Sequence, residues 1–184
     1  MKSIKIKQMM VPLAAYATVL EDASLYEVIM ALDEARENFK DSRYPHRAVL
    51  VLDDDGHVVG KVSMLGILSA LEPKYDQIAD SEIMSRSGIN PEFLTSMVEK
   101  YSLWEKPLEE ICAKANGKKV KNFMYVPTEG EYIKEDVTLD DAIHLLVLGD
   151  YQSLLVTKDD KITGILRLTD VLDHVCDLAK SCKI

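Results

Sequence analysis

One order of elements is written twice in this chain, and that repetition constrains the fold more than any other feature. Met10 and Leu25 stand fifteen positions apart, and so do Met124 and Leu139. In the first copy Thr18-Val19-Leu20 reads as a short strand. Ser24-Leu25-Tyr26-Glu27 then has capping-box spacing, in which a hydroxyl and a carboxylate three residues on satisfy each other's backbone N–H groups. Behind it Leu25, Ile29, Leu32 and Phe39 recur at helical spacing, and Tyr44-Pro45 ends the helix. Ala48 to Leu52 is an apolar strand, Asp53-Asp54-Asp55-Gly56 a turn, and His57 to Val62 the returning strand of a hairpin. A helix follows, with Leu65, Leu68 and Leu71 inward, and stops near Pro73.

The second copy runs through the same sequence of signals. Val120 to Met124 leads to Val126-Pro127, and Tyr132-Ile133 is the short strand. Thr138-Leu139-Asp140-Asp141 repeats the capping-box spacing, with Leu139, Ala142, Ile143 and Leu146 as the inward face. Ser153 to Thr157 is the apolar strand, Lys158 to Lys161 the turn, and Ile162 to Arg167 the return. The last helix sends Val171, Val175 and Leu178 inward. Leu25 precedes Gly60 by 35 positions but Leu139 precedes Gly164 by only 25, so the first copy carries ten extra residues, placed around 37–47. The registered order predicts an α+β (mixed α/β) fold of two βαββα repeats packed as one module. Repeat 1 spans 1–73, repeat 2 spans 119–184, and 74–118 is a helical insert. Within the insert Asn90-Pro91 starts a helix bearing Phe93, Leu94, Met97, Val98 and Tyr101. A shorter helix from Pro107 carries Leu108, Ile111 and Cys112, and Trp104, between the two helices, reads as a hydrophobic plug of the linker against a domain.

Charge narrows the partners. Asp and Glu number 31 against 22 Lys and Arg, a net charge of −9, which is the wrong sign for a general nucleic-acid binder. The basic group Lys114, Lys118, Lys119 and Lys121 has no interleaved aromatics and reads as a solvated linker. Cys112, Cys176 and Cys182 form no paired pattern, which suits a reducing compartment. Met1 to Lys7 alternates apolar and basic residues without the apolar core of a signal peptide, and no run approaches a membrane span. A cytoplasmic protein with no membrane contact is expected. Counting from Asp53, the twelfth loop position is Met64, which rules out an EF-hand calcium loop. His174 and Asp177 share a helix face without a second ligand pair, so no metal site is expected. His46, His57, His144 and His174 lack a nucleophile partner, and no catalytic residues are assigned.

The chemistry concentrates where an apolar strand runs from a glycine into a helix. Gly164-Ile165-Leu166-Arg167-Leu168-Thr169-Asp170 sets a cation, a hydroxyl and a carboxylate at a helix N-terminus, where polar ligands are readily held. Gly60-Lys61-Val62-Ser63-Met64-Leu65-Gly66 has the same outline with different polar groups. Ser63 keeps the cap hydroxyl and loses the carboxylate to Gly66, whereas Asp170 keeps the carboxylate and Arg167 replaces the hydroxyl.

A duplicated βαββα unit with glycine, apolar strand, Ser/Thr-x-x-Asp and helix resembles the CBS domain family, named after cystathionine β-synthase. The resemblance covers all but 74–118 and implies a tandem pair standing alone, with two clefts between its repeats. Such clefts often hold AMP, ADP, ATP or S-adenosylmethionine. Asp170 then matches the ribose-binding aspartate, with Arg167 and Thr169 at the phosphate. Val126, Pro127, Tyr132 and Ile133 match the stretch walling the base, and Gln152 lies before the strand facing the cleft. Ser63 and Gly66 mark a weaker first-copy site. The resemblance implies a non-catalytic regulatory module that needs no cofactor, binds an adenosine-containing ligand, forms a homodimer and signals to an unidentified effector protein. The alternative is a structural interaction module with vestigial clefts.

Overall fold

The computed structural model describes residues 4–38, 45–72, 74, 75, 91–106, 108–113 and 115–181. Phe39, Tyr44, Pro73, Asn90, Pro107, Lys114 and Cys182, given roles above, lie outside them, as does the side chain of Ile111. The strands are β1 (Val11–Pro12), β2 (Thr18–Leu20), β3 (Ala48–Leu52), β4 (Val58–Ser63), β5 (Tyr132–Lys134), β6 (Ser153–Lys158) and β7 (Lys161–Arg167). The helices are α1 (Leu25–Asn38), α2 (Met64–Leu71), α3 (Pro91–Tyr101), α4 (Leu108–Ala113), α5 (Leu139–Gly149) and α6 (Leu168–Ser181). No helix among the described residues is long and apolar enough to cross a membrane.

Two small sheets result, ordered β2-β3-β4 and β1-β7-β6-β5. In each, a parallel strand flanks an antiparallel hairpin, and each hairpin breaks register at the matching place, Val51/Leu52 and Val156/Thr157. The capping boxes form as read. Glu27 accepts hydrogen bonds from the Ser24 N–H at 2.6 Å and its hydroxyl at 2.8 Å, and Asp141 accepts from the Thr138 hydroxyl at 2.7 Å. Leu25, Val28 and Leu32 of α1 and Leu139, Ala142 and Leu146 of α5 are buried against their sheets. Three of the ten extra residues lengthen α1 relative to α5.

The joint between the copies is a reciprocal exchange. The segment leading into the first copy packs on the second. The Ile6 N–H donates to the Val137 carbonyl and the Leu139 N–H to the Ile4 carbonyl, while β1 pairs with β7 through Val11 and Ile165. The segment leading into the second copy does the same to the first. The Val120 N–H donates to the Ala23 carbonyl, the Leu25 N–H to the Lys118 carbonyl, and Tyr125 bridges Lys61 of β4. Ile6 is therefore fully buried in the second copy's core, and Val120 in the first copy's. Each core contains an apolar side chain that its own copy does not supply.

The helices after the hairpins differ from expectation. In α2 the inward residues are Ile67 and Ala70, while Leu65 is 78% exposed and Leu68 52%. In α6 Val171 is buried, but Val175 and Leu178 are 41% and 45% exposed. α2 is apolar on nearly every side, so spacing alone could not select its inward face. Among the described side chains of α3 only Met97 is buried, joined by Leu103, while Leu94 and Val98 are exposed. Trp104 ties this insert to the end of α2. Its backbone N–H donates to the buried Glu72 carboxylate at 2.9 Å and its indole to the Tyr75 hydroxyl at 2.8 Å.

The exchange makes the two hairpin glycines unequal. A Cβ on Gly164 would lie 2.5 Å from the Val11 carbonyl oxygen, which the β1 ladder holds in place. A Cβ on Gly60 would lie 2.5 Å from the Met124 sulfur, the far end of a flexible side chain. Gly164→Ala is expected to cost about 2–3 kcal/mol and Gly60→Ala about 1 kcal/mol, measured by urea unfolding. Equal losses would contradict the rigid contact at Gly164.

Candidate functional site

Each hairpin turns into its helix at a closed corner. The Met64 N–H donates to the Arg47 carbonyl at 3.1 Å, and the Leu168 N–H to the Gln152 carbonyl at 3.0 Å. A cavity of about 400 Å³ opens between the two corners. Equivalent positions of the copies both line it: Arg47 and Gln152, Ala48 and Ser153, Ser63 and Arg167, Leu65 and Thr169. It is therefore shared by the two repeats, and its volume is within the 300–1,000 Å³ range usual for small-molecule sites.

Of the residues singled out from sequence, Arg167, Thr169, Gln152 and Ser63 line this cavity, and Asp170 and Gly66 are not on its wall. Arg167 grips Asp170 with a forked pair of hydrogen bonds, Nε to Oδ2 at 2.7 Å and Nη2 to Oδ1 at 2.5 Å. The side chains are only 11% and 19% exposed. Burial opposes the guanidinium's charge, yet the carboxylate holds its pKa above the ordinary value. In the first copy the Ser63 hydroxyl accepts the Gly66 N–H at 3.1 Å and caps α2.

The base-walling stretch is not gathered with Asp170. Val126 is 62% exposed and, with Pro127, is absent from the cavity wall, while Ile133 is 6% exposed inside the second core. Tyr132 lines a different cavity, about 620 Å³, between the hairpin turns with Asp55, His57 and Lys161. The exchange explains this separation. β1 brings the first copy's lead, not the second's, beside the Arg167–Asp170 corner. Tyr16 and His46 of the first copy stand there instead, edge to face with ring centres 4.3 Å apart. Burial raises the Tyr16 hydroxyl to about 12 against the opposing pull of Arg167. Burial also drives His46 down to about 4, and the Arg167 charge pushes in the same direction.

Sequence reasoning passed over a polar group on the opposite wall. Glu131 is 2% exposed and accepts from the Lys61 ammonium, the Tyr125 hydroxyl at 2.6 Å and the Thr128 N–H at 3.1 Å. Burial would raise its carboxyl, but these three donors hold it below the ordinary value. The Lys61 charge also sits 5.3 Å from the Tyr125 ring centre. A signal existed, since Thr128 and Glu131 have the same cap spacing as Ser24 and Glu27. Tyr151 was missed as well. Its ring lies so close to Gly130 and Gly149 that a Cβ on either would overlap it, at 2.6 and 2.1 Å. At the acidic turn Asp53, Asp55 and His57 bring ligand atoms within 4.8 Å of one another, and Asp53 is occupied capping the His57 N–H at 2.7 Å.

A family model described as CBS domain matches residues 6–73 and 120–177. The crystal structure of the CBS-pair protein CBSX2 from Arabidopsis thaliana superposes over 97% of this chain and 99% of its own, with a TM-score of 0.58 and 19% identity. CBSX2 in complex with AMP covers 95% of this chain and 98% of its own, with a TM-score of 0.53 and 20% identity. The CBS domain of a bacterial CNNM/CorC family Mg²⁺ transporter in complex with ATP covers 94% and 87%, with a TM-score of 0.56 and 14% identity. At these identities the likeness is one of fold. No curated protein matches the sequence.

The buried histidine predicts how the corner responds to acid. Neutral His46, facing Tyr16, Arg167 and Asp170, takes up its proton near pH 4 when folded and near 6.5 when unfolded. Between those values the unfolded chain binds more protons, so stability falls as pH drops from about 6.5 to 4, by up to about 3 kcal/mol from this group. His46→Phe should lose less stability than wild type between pH 7 and 4.5 in urea titrations. Parallel losses would remove His46 from the acid response.

Proposed function

The chain belongs to the CBS domain family, and from that premise we propose that it is a non-catalytic regulatory module that binds an adenosine-containing ligand between its repeats. The observation that carries this reading is the 400 Å³ cavity fed by both strand-to-helix corners. Its polar edge offers Arg47, Arg167, Ser153 and Thr169, groups suited to phosphate and hydroxyl recognition. Its apolar and aromatic edge, with Met64, Leu65, Tyr125 and Tyr151, suits a planar base. Lys61 is paired with Glu131 and Arg167 with Asp170, and the wall also carries Arg47 and Asp150, so an anion would have to draw a cation away from its carboxylate. The complexes of CBSX2 with AMP and of the transporter's CBS domain with ATP support an adenine nucleotide as the ligand. Ligand would act by binding one arrangement of the repeats more tightly than another, with the change read by an effector protein. Cys112 and Cys176 are free thiols, in keeping with a reducing cytoplasmic setting.

The binding test is calorimetry with AMP, ATP and S-adenosylmethionine. A nucleotide should bind with a dissociation constant in the micromolar range, about −8 kcal/mol. Gln152→Trp, which fills the cavity from an exposed position, should weaken binding about tenfold or more with melting unchanged. No heat from any of the three at millimolar concentration would favour an interaction module with vestigial clefts.

The same reading includes a homodimer. Leu68 of α2 and Leu172 of α6 occupy equivalent positions in the two copies, and each is 52% exposed. With Leu65, Val175 and Leu178 they extend apolar stripes along both helices, the kind of surface that a second copy covers. Leu172→Glu should convert a dimer to a monomer in sedimentation while leaving far-UV circular dichroism unchanged. A monomeric wild type at about 100 µM, a concentration that micromolar self-association would exceed, would exclude this dimer.

A further inference from the structure

Asp170, the carboxylate assigned to a ribose, is already engaged at both oxygens by Arg167. Resting on the nucleotide reading above, we propose that this ion pair is a clasp that a ligand opens only with its phosphate, so that the cavity admits nucleotides and refuses the free nucleoside.

Ligand binding at this corner is an exchange of partners. The ribose hydroxyls of a nucleoside are neutral: they can donate to the Asp170 carboxylate, but they bring Arg167 no charge to replace the one it loses. Pulling the carboxylate away without replacement would leave a guanidinium only 11% exposed with its forked partner gone. Losing the fork from so buried a guanidinium is costly even with the Asp173 carboxylate contributing to the field around it. A phosphate changes the balance because its oxygens match the planar guanidinium as well as a carboxylate does. Arg167 can then turn from Asp170 to the phosphate without loss of pairing, and Asp170 is released to the ribose.

The placement of the groups favours that order of events. Arg167 lines the cavity, where an entering phosphate can meet it, and Asp170 follows it on the first turn of α6. Arg47, exposed on the same wall, adds a second positive charge for the phosphate. Lys61 does not, being held by Glu131 across the cavity. The first-copy corner has no such clasp. Ser63 there caps α2 through the Gly66 N–H, with no carboxylate to restrain. A serine is therefore compatible with this corner, which makes Arg167→Ser the informative variant.

The test is calorimetry of adenosine and AMP with wild type, Arg167→Ser and Arg167→Lys, each checked by circular dichroism and melting. Wild type should bind AMP about a hundredfold more tightly than adenosine, the scale of a charge-assisted bond. Arg167→Ser should bind adenosine about tenfold better than wild type does, and AMP less well, so that the ratio falls below about five. Arg167→Lys, which keeps the charge but not the fork, should fall between. The side-chain Nε–H resonance of Arg167 should shift on addition of AMP and stay put with adenosine. Wild-type binding of adenosine within about fivefold of AMP would overturn the clasp while leaving the nucleotide reading intact, as would unchanged adenosine affinity in Arg167→Ser. Absence of AMP and ATP binding in wild type and both variants would overturn the nucleotide reading and the clasp together.

Discussion

Everything in this molecule depends on each repeat lending its leading segment to the other. Ile6 completes the second core and Val120 the first, and the backbone bonds that hold them are matched pair for pair. The contact at Gly164 shows how tightly the exchange is drawn, since the chain crossing there approaches closer than any side chain permits. Burying a residue such as Ile6 is worth about 2–3 kcal/mol, and each copy receives that stabilisation only from its counterpart. The two sheets therefore behave as one body, and the cavity between their corners inherits fixed walls from both.

The exchange is symmetric in the backbone and asymmetric in chemistry. Where β1 meets β7, Val11 faces Ile165, and Tyr16 closes an apolar cluster with Leu50 and Leu155. At the matching crossing Tyr125 meets Lys61, and Glu131 is buried beneath them. A buried ion pair contributes little net stability but punishes misalignment, because either charge alone would be stranded. One crossing thus supplies adhesion and the other supplies register. Between them the cavity is left with unlike ends, cationic toward Arg167 and aromatic toward Tyr125.

Local features were legible in the sequence and long-range ones were not. The capping boxes at Ser24 and Thr138, the turn at Gly56 and the apolar strands at Val49 and Leu154 are set by neighbours within a few positions, so their residue types sufficed. The faces of α2 and α6 were misread because apolar residues surround α2, and Leu65, Leu68, Val175 and Leu178 lie on the side away from the sheet. Arg167, Thr169, Gln152 and Ser63 come to one cavity wall because each sits at a strand-to-helix corner or at the start of a strand. Tyr16, Lys61, Tyr125 and Glu131 were passed over because they come together only through the exchange, across as many as 70 positions between Lys61 and Glu131. The same crossing moved Val126 to Ile133 away from Asp170, since a motif read along the chain assumes that a repeat walls its own site.

The borrowed leads also carry a statement about ancestry. A chain holding one copy would lack the side chain that completes its core and would have to take it from a second molecule giving the same in return. Two such molecules would form a symmetric pair with identical corners. Joining them through the insert turns that encounter into an intramolecular one, which raises the effective concentration of each half for the other. It also releases the two halves from the requirement to be identical. Ser63 against Arg167, Gly66 against Asp170 and Lys61 against Ile165 are differences that only a fused pair can keep. They make one shared cavity with distinguishable sides, which a homodimer of single copies could not provide.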